Sequence, residues 1–218
     1  MHDTVVIDFG MGNLRSVAKA LECAGARVRV SGDPRDIRAA SRVVFPGQGA
    51  MGACVTRITE HGLAEAVREA ARNKPFLGIC LGLQALFDFS EEDGGVPGLG
   101  LVAGRVRRFP VDERLPGGER LKVPHMGWNQ VAFPRAHPLL AGIAPDAWFY
   151  FVHSYYVCPD DAALVLGRTD HGRTTFTSAL ARGNLVATQF HPEKSHRAGL
   201  RLLANFVSWD GQAMDSVE

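Results

Sequence analysis

Cys80 stands in Gly78-Ile79-Cys80-Leu81-Gly82, a G-x-C-x-G pattern between the strand-like run KPFLGI and the helical run LGLQALF. This is the setting of a nucleophile elbow, where a sharp strand-to-helix turn throws the side chain outward and glycines make room for crowded backbone. A helix N-terminus beside the sulfur favours thiolate, and the Leu81 N–H at the turn is free to stabilise an oxyanion. Read alone, the pattern fits a buried cysteine in a tight turn equally well. Near the other end, directly after LVAT, the chain reads Gln189-Phe190-His191-Pro192-Glu193-Lys194-Ser195. In an extended segment residues two apart point to one side, so the Glu193 carboxylate can orient the His191 imidazole. The imidazole can then take a thiol proton and return it to a leaving amine. On its own the pair fits a solvated turn around Pro192; together with an elbow cysteine it points to a Cys-His-Glu triad. An α/β-hydrolase has a similar elbow, but its acid precedes its histidine.

The elements that must position these groups fall into two halves. TVVIDF (4–9) reads as a buried strand ending in a turn at Gly10 and Gly12, and ARVRVS (26–31), RVVFP (42–46) and KPFLGIC read as three further strands. Between them lie helical patterns. Leu14, Val17, Ala18 and Leu21 recur at helical spacing with Gly25 as a stop. Asp33-Pro34 starts a short helix, and Leu63, Val67, Ala70 and Ala71 mark another. Such alternation predicts a parallel sheet covered on both faces. SEEDGGVPGLG (90–100) reads as an acidic, glycine-rich loop with little ability to pack. After it, GRVRRF, HMGWNQVAF, WFYFVHSYYV, TFTSALA and NLVATQF are strand-like and predict a mixed or antiparallel extension. A last helix is expected with Ser195 as N-cap and Leu200, Leu203, Ala204 and Val207 facing inward. With no repeat, low-complexity segment or linker, one domain over 1–218 is expected.

Composition narrows the function classes. The chain has 218 residues, 46% of them hydrophobic, and a net charge of +1 with both signs dispersed. That gives no concentrated basic surface for nucleic acid or an anionic membrane. No apolar run approaches the roughly 20 residues of a membrane helix, and MHDTVVIDFG does not read as a secretory signal. A soluble, cytoplasmic protein is expected. Cys23, Cys54, Cys80 and Cys158 form no CxxC pair, so zinc and dithiol chemistry lack support, and the other three read as small buried hydrophobes.

After RVVF comes Pro46-Gly47-Gln48-Gly49, at the carboxyl edge of the sheet where open α/β sheets place their sites. Its glycines allow close backbone approach to a substrate, though a plain turn reads the same way. The segment GMGN after the first strand lacks the third glycine of G-x-G-x-x-G, Arg15 standing there instead, and is not read as a nucleotide site.

GICLGLQ with FHPEKS resembles the triad (class I) glutamine amidotransferases. IDFGMGNL, PHMGWN (124–129) and FHPEKS together resemble the family of glutaminase subunits of imidazole glycerol phosphate synthases, over roughly residues 4–208. The resemblance implies a flavodoxin-like class I amidotransferase fold, with a mostly parallel sheet flanked by helices and a mixed C-terminal extension. It implies that Cys80 attacks the side-chain amide of glutamine, with His191 as acid/base and Glu193 as its orienting group. It implies an oxyanion hole from Leu81 and either Gln48 or Gly49. Glutamine's amino-acid end would meet Gly47, Gln84, Ser154 and Tyr155, although HSYY also reads as an ordinary strand. Asn13, Met126, Trp128 and Lys194 would lie at the interface with a cyclase subunit in a heterodimer, whereas a core tryptophan is the plain reading of Trp128. No cofactor or metal is implied. A (β/α)8 cyclase needs about 250 residues of its own, so the ammonia would pass to a separate chain for histidine biosynthesis. Slow turnover without that partner is expected. The rival readings are a glutaminase subunit for anthranilate or pyridoxal phosphate synthesis, a non-catalytic module on the same fold, and a thiol redox sensor.

Overall fold

In the computed structural model, which describes residues 3–115 and 117–212, the first half alternates strand and helix. The order is β1 (Asp3–Ile7), α1 (Leu14–Cys23), β2 (Arg27–Ser31), α2 (Pro34–Ala39), β3 (Arg42–Gly47), α3 (Met51–Glu60), α4 (Ala64–Asn73), β4 (Phe76–Cys80) and α5 (Leu81–Gln84). Then come β5 (Phe87–Ser90), β6 (Val96–Pro97), β7 (Val102–Arg108), β8 (His125–Gln130), β9 (Trp148–His153) and β10 (Tyr155–Pro159). The chain finishes with β11 (Val165–His171), β12 (Thr174–Arg182), β13 (Leu185–Thr188) and α6 (His196–Ser208). The expected single domain extends at both ends beyond the described residues.

The strands β2-β1-β3-β4-β13 lie side by side and parallel. From β13 the sheet continues antiparallel through β12, β10 and β7, then β5 and β6, with β11 on β12. This is the α/β fold with a mixed extension. The alternation of side chains along β1 feeds both faces: Val5 and Ile7 join the core with α2, α3 and α4, while Val6 packs with α1 and α6. Buried Arg42 fastens β3 to the end of α6, donating from Nη1 to the carbonyls of Phe206 (2.6 Å) and Trp209 (3.0 Å).

Several expectations need correction. WFYFVHSYYV is not one strand: β9 pairs with β8 as a separate ribbon, and β10 joins the main sheet, with the break at Ser154. LGLQALF forms a single helical turn, because Phe87–Ser90 is drawn into the sheet beside β7. The acidic segment after Ser90 packs, since Glu92 Oε2 accepts from the Met51 N–H at 2.7 Å and so begins α3, a helix the sequence reading did not anticipate. α6 buries Gly199, Leu202, Leu203 and Phe206, whereas Leu200 is 44% exposed. Ser195 does precede α6, but its hydroxyl does not cap it; Oγ donates to the His191 carbonyl (2.6 Å) and accepts from the Tyr150 N–H (3.0 Å). The strand β11 was also unanticipated.

Candidate active site

Cys80 ends β4 with φ 55° and ψ −108°, a left-handed backbone rare for any residue but glycine. Its neighbours explain how this is tolerated. A Cβ on Gly82 would run into the Phe45 carbonyl, and one on Gly78 would sit 3.0 Å from Ala187 Cβ. The turn therefore folds flat against β3 and β13, and strain of about 1–3 kcal/mol at the cysteine is held by packing on both sides. Gly47 pairs with Cys80 across β3 and β4, where a Cβ would come within 2.9 Å of Leu81 Cβ. Gly47 is buried behind the elbow, and the residues lining the cleft are its neighbours Gln48 and Gly49. Because α5 is one turn long, a helix macrodipole contributes little at the sulfur, and the expected dipole effect reduces to the local N–H groups.

The elbow opens into a cleft of about 490 Å³, ample for a small amino acid. Cys80, Leu81, Gln48 and Gly49 form one wall. Tyr150, Val152, His153, Ser154 and Tyr155, where β9 gives way to β10, form the other. Gln84, Glu92, Pro124, His191 and Lys194 complete the lining. Gly49 has φ 99°, and a Cβ there would strike the Met11 side chain, so the GMGN turn packs beneath the PGQG loop.

His191 and Glu193 meet by a different route from the one expected. Residues Pro192–Lys194 form a 3-10 turn, not an extended segment, and this turn brings His191 Nδ1 to 2.8 Å from Glu193 Oε1. The His191 N–H donates to the Tyr150 carbonyl at 2.9 Å, which fixes the turn to β9. A carboxylate accepts, so Nδ1 carries a hydrogen and Nε2 is the nitrogen left to exchange a proton. That Nε2 is buried and has no hydrogen-bond partner among the described residues. Burial alone would lower the basicity of His191, but the neighbouring Cys80 sulfur and the Glu193 carboxylate outweigh it and push the imidazole up to about 9. The Cys80 thiol itself faces the Val152 carbonyl at 3.9 Å and receives the Gln189 side-chain amide at 3.7 Å.

Three residues of the cleft region were not singled out from the sequence. Glu92 is the acidic residue lining it among the described residues, and burial holds its carboxyl above the usual range. Its neighbourhood read as a loose loop, so no local pattern pointed to it; only the contact with α3 does. His153 and Gln189 were hidden by the same cause, their partners lying on strands distant in sequence. Gln84 donates from Nε2 to the Tyr155 carbonyl (3.0 Å) and to Gln189 Oε1 (3.1 Å), so it ties the two walls together.

On β8, Met126 is 63% and Trp128 41% exposed, which removes the core reading of Trp128. Trp128 stacks on His196 at 4.8 Å and meets Tyr150 edge-on at 6.1 Å. Lys194 Nζ lies 5.8 Å from the centre of the Tyr150 ring. Exposed Asn13 caps α1, its side chain accepting from the Ser16 N–H.

Residues 5–209 match the family described as glutamine amidotransferase class-I. The chain is 58% identical to the imidazole glycerol phosphate synthase subunit HisH of Aromatoleum aromaticum, covering 96% of this chain and 99% of the relative. It is 59% identical to the protein of the same name from Dechloromonas aromatica, covering 94% and 95%. Among solved structures, PurLQS from Thermotoga maritima superposes with a TM-score of 0.70 at 17% identity, over 94% of this chain and 98% of that one. The glutaminase domain of Trypanosoma brucei CTPS, with acivicin bound, gives a TM-score of 0.60 at 16% identity, over 96% and 95%. At those identities the two structures speak for the fold.

Proposed function

The chain belongs to the class I glutamine amidotransferases, and from that premise we propose how it works: it is the glutaminase subunit of an imidazole glycerol phosphate synthase, and Cys80, His191 and Glu193 free ammonia from glutamine. The observation that carries the residue assignment is the buried His191 Nε2, unpartnered beside Cys80 while Nδ1 is held by Glu193.

Cys80, having already passed its proton to His191 Nε2, attacks the side-chain amide carbon of glutamine as the thiolate. The oxygen of the tetrahedral intermediate is held by the Leu81 N–H, with Gln48 or Gly49 supplying the second donor from the facing loop. As the C–N bond breaks, the imidazolium proton passes to nitrogen and ammonia leaves. The raised basicity of His191 favours keeping that proton on Nε2 until the leaving nitrogen takes it. Water, deprotonated by His191, then attacks the thioester; the sulfur leaves and glutamate is released. The Glu92 carboxylate suits the α-ammonium group of the substrate, and Ser154, Tyr155 and Gln84 suit its amino-acid end.

The ammonia passes to a cyclase subunit of (β/α)8 type, in a heterodimer whose interface takes in Asn13, Met126, Trp128 and Lys194. Support comes from the relatives' designation as a synthase subunit and from the exposure of Met126 and Trp128 on β8. The reading includes one amidotransferase domain over 1–218, supported by a sheet continuous through both halves, and a cytoplasmic location, supported by the biosynthetic relatives.

The test is glutamate release and imidazole glycerol phosphate formation with the cyclase subunit present. Cys80→Ala should lower glutamate release by about 10⁴-fold or more, while added ammonium salt restores product formation. Release at the wild-type rate from Cys80→Ala would overturn the assignment.

A further inference from the structure

Behind the ribbon wall of the cleft lies a chain of polar side chains that the catalytic steps do not use. Asn129 on β8 is fixed in orientation, because Nδ2 donates to the Asp170 carbonyl (2.9 Å) and Oδ1 accepts from the Gln130 N–H (2.8 Å). Its remaining Nδ2 hydrogen points to His125 Nε2 at 3.1 Å, so that nitrogen is an acceptor. A neutral His125 then carries its hydrogen on Nδ1, which lies 2.9 Å from His153 Nε2. His153 in turn carries its hydrogen on Nδ1, 2.7 Å from the Tyr155 carbonyl. Every hydrogen in the chain has one allowed position, and the direction runs from Asn129 to Tyr155.

The surroundings keep both rings neutral. Phe109, Phe151 and Phe176 enclose them, with ring centres 4.8–5.8 Å from those of His125 or His153. His171 lies 4.2 Å from His125, ring to ring, with its Nε2 held by the Lys122 carbonyl. Burial, helped by the neighbouring histidines, lowers His153 to about 3 and His125 to about 4. His153 lines the cleft, yet both its nitrogens are engaged, so it has no free polar atom for a substrate.

The Tyr155 carbonyl is where this chain meets the other wall, since it also accepts from Gln84 Nε2, which reaches Gln189 and, through it, the Cys80 sulfur. We propose that His153, oriented by His125 and Asn129, is a positioning residue for glutamine binding: it fixes the Tyr155 carbonyl, and with it the Ser154–Tyr155 wall, against Gln84. The proposal rests on the glutaminase reading, and it makes β8 the strand whose placement sets the substrate wall.

Two isosteres separate this role from plain core packing. In His153→Asn the amide nitrogen can take the place of Nδ1 and still donate to the Tyr155 carbonyl; in His153→Gln it takes the place of Nε2 and cannot. Glutamine hydrolysis is measured in the complex with the cyclase subunit. His153→Gln should raise KM for glutamine about tenfold with kcat within about threefold, and His153→Asn should bring KM back to within about threefold of wild type. Equal KM values for the two variants, or no change in either, overturn the proposal. Should His153→Gln fail to fold, His125→Phe is read instead: a KM raised about threefold supports the relay, and an unchanged KM overturns it. Failure of the underlying reading looks different, because the wild-type complex would then release no glutamate that Cys80→Ala abolishes.

Discussion

The two walls of the cleft are held by different forces. The elbow wall is fixed by steric contact: Gly47, Gly78 and Gly82 press backbone against Leu81, Ala187 and Phe45 with no space for another carbon. The ribbon wall, from Tyr150 to Tyr155, is fixed by hydrogen bonds, through Ser195 to the catalytic turn and through His153 and Gln84 to the Tyr155 carbonyl. Close packing resists displacement over tenths of an ångström, whereas polar links can break and reform at a cost of about 1 kcal/mol each. The difference suits a division of labour. On the proposed mechanism, bond making falls on the wall that cannot shift, and recognition of the amino-acid end falls on the wall that can.

The strongest challenge to that contrast is Gly82→Ala. A methyl group directed at the Phe45 carbonyl should cost about 3 kcal/mol or more in a urea titration, and glutamate release should fall beyond about 10²-fold as the sulfur is displaced. Wild-type stability and activity would mean that the elbow is as adjustable as the ribbon.

Glu193→Gln should lower kcat by about 10³-fold while leaving KM close to wild type, because it loosens the imidazole without touching the ribbon wall. A pH series gives a second reading. The folded chain holds the His191 proton more tightly than free imidazole does. Its charged form therefore stabilises the fold below about pH 6.5, and that stabilisation is lost as pH rises through about 9. The same proton serves the leaving ammonia, so hydrolysis should fall on the alkaline side near that value. In Glu193→Gln the alkaline fall should move to lower pH; an unmoved limb would remove Glu193 from the proton's environment.

Glu92→Gln is the mildest of the three. It keeps an oxygen for the Met51 N–H and deletes only the charge, so KM should rise about tenfold with kcat within about threefold. A matching loss in kcat would assign Glu92 to positioning of the elbow and blur the division between walls.

The parallel half was legible because β1, β3 and β4 are apolar runs, β2 alternates valine with arginine at the sheet edge, and the turns carry glycine where backbone must cross. The elbow and the His-Pro-Glu segment were legible as residue types at a fixed spacing, although a 3-10 turn and not an extended segment brings the imidazole and carboxylate together. What the sequence concealed depends on contacts between distant segments. α3 begins at Ala50 with no side-chain cap of its own and borrows Glu92. The run after Gln84 has helical spacing, yet pairing with β7 outweighs that local preference. Leu200 fits a helical stripe as well as Leu202 does, and only the packing of α6 on the sheet decides which is covered. The relay from Asn129 to Tyr155 joins β8, β9 and β10, whose separation at Ser154 no local pattern announced.

The pairing of β4 with β13 sets an order of events as the protein is made. Cys80 emerges from the ribosome early, but the strand beside it and the His-Pro-Glu turn that follows are among the last segments to appear. Domains form as units while synthesis proceeds from the N-terminus, so a nascent chain carries Cys80 for more than a hundred residues before His191 is made. Arg42 waits in the same way for the carbonyls of Phe206 and Trp209. On the proposed mechanism, a chain truncated before β13 therefore holds Cys80 without the imidazole that would activate it.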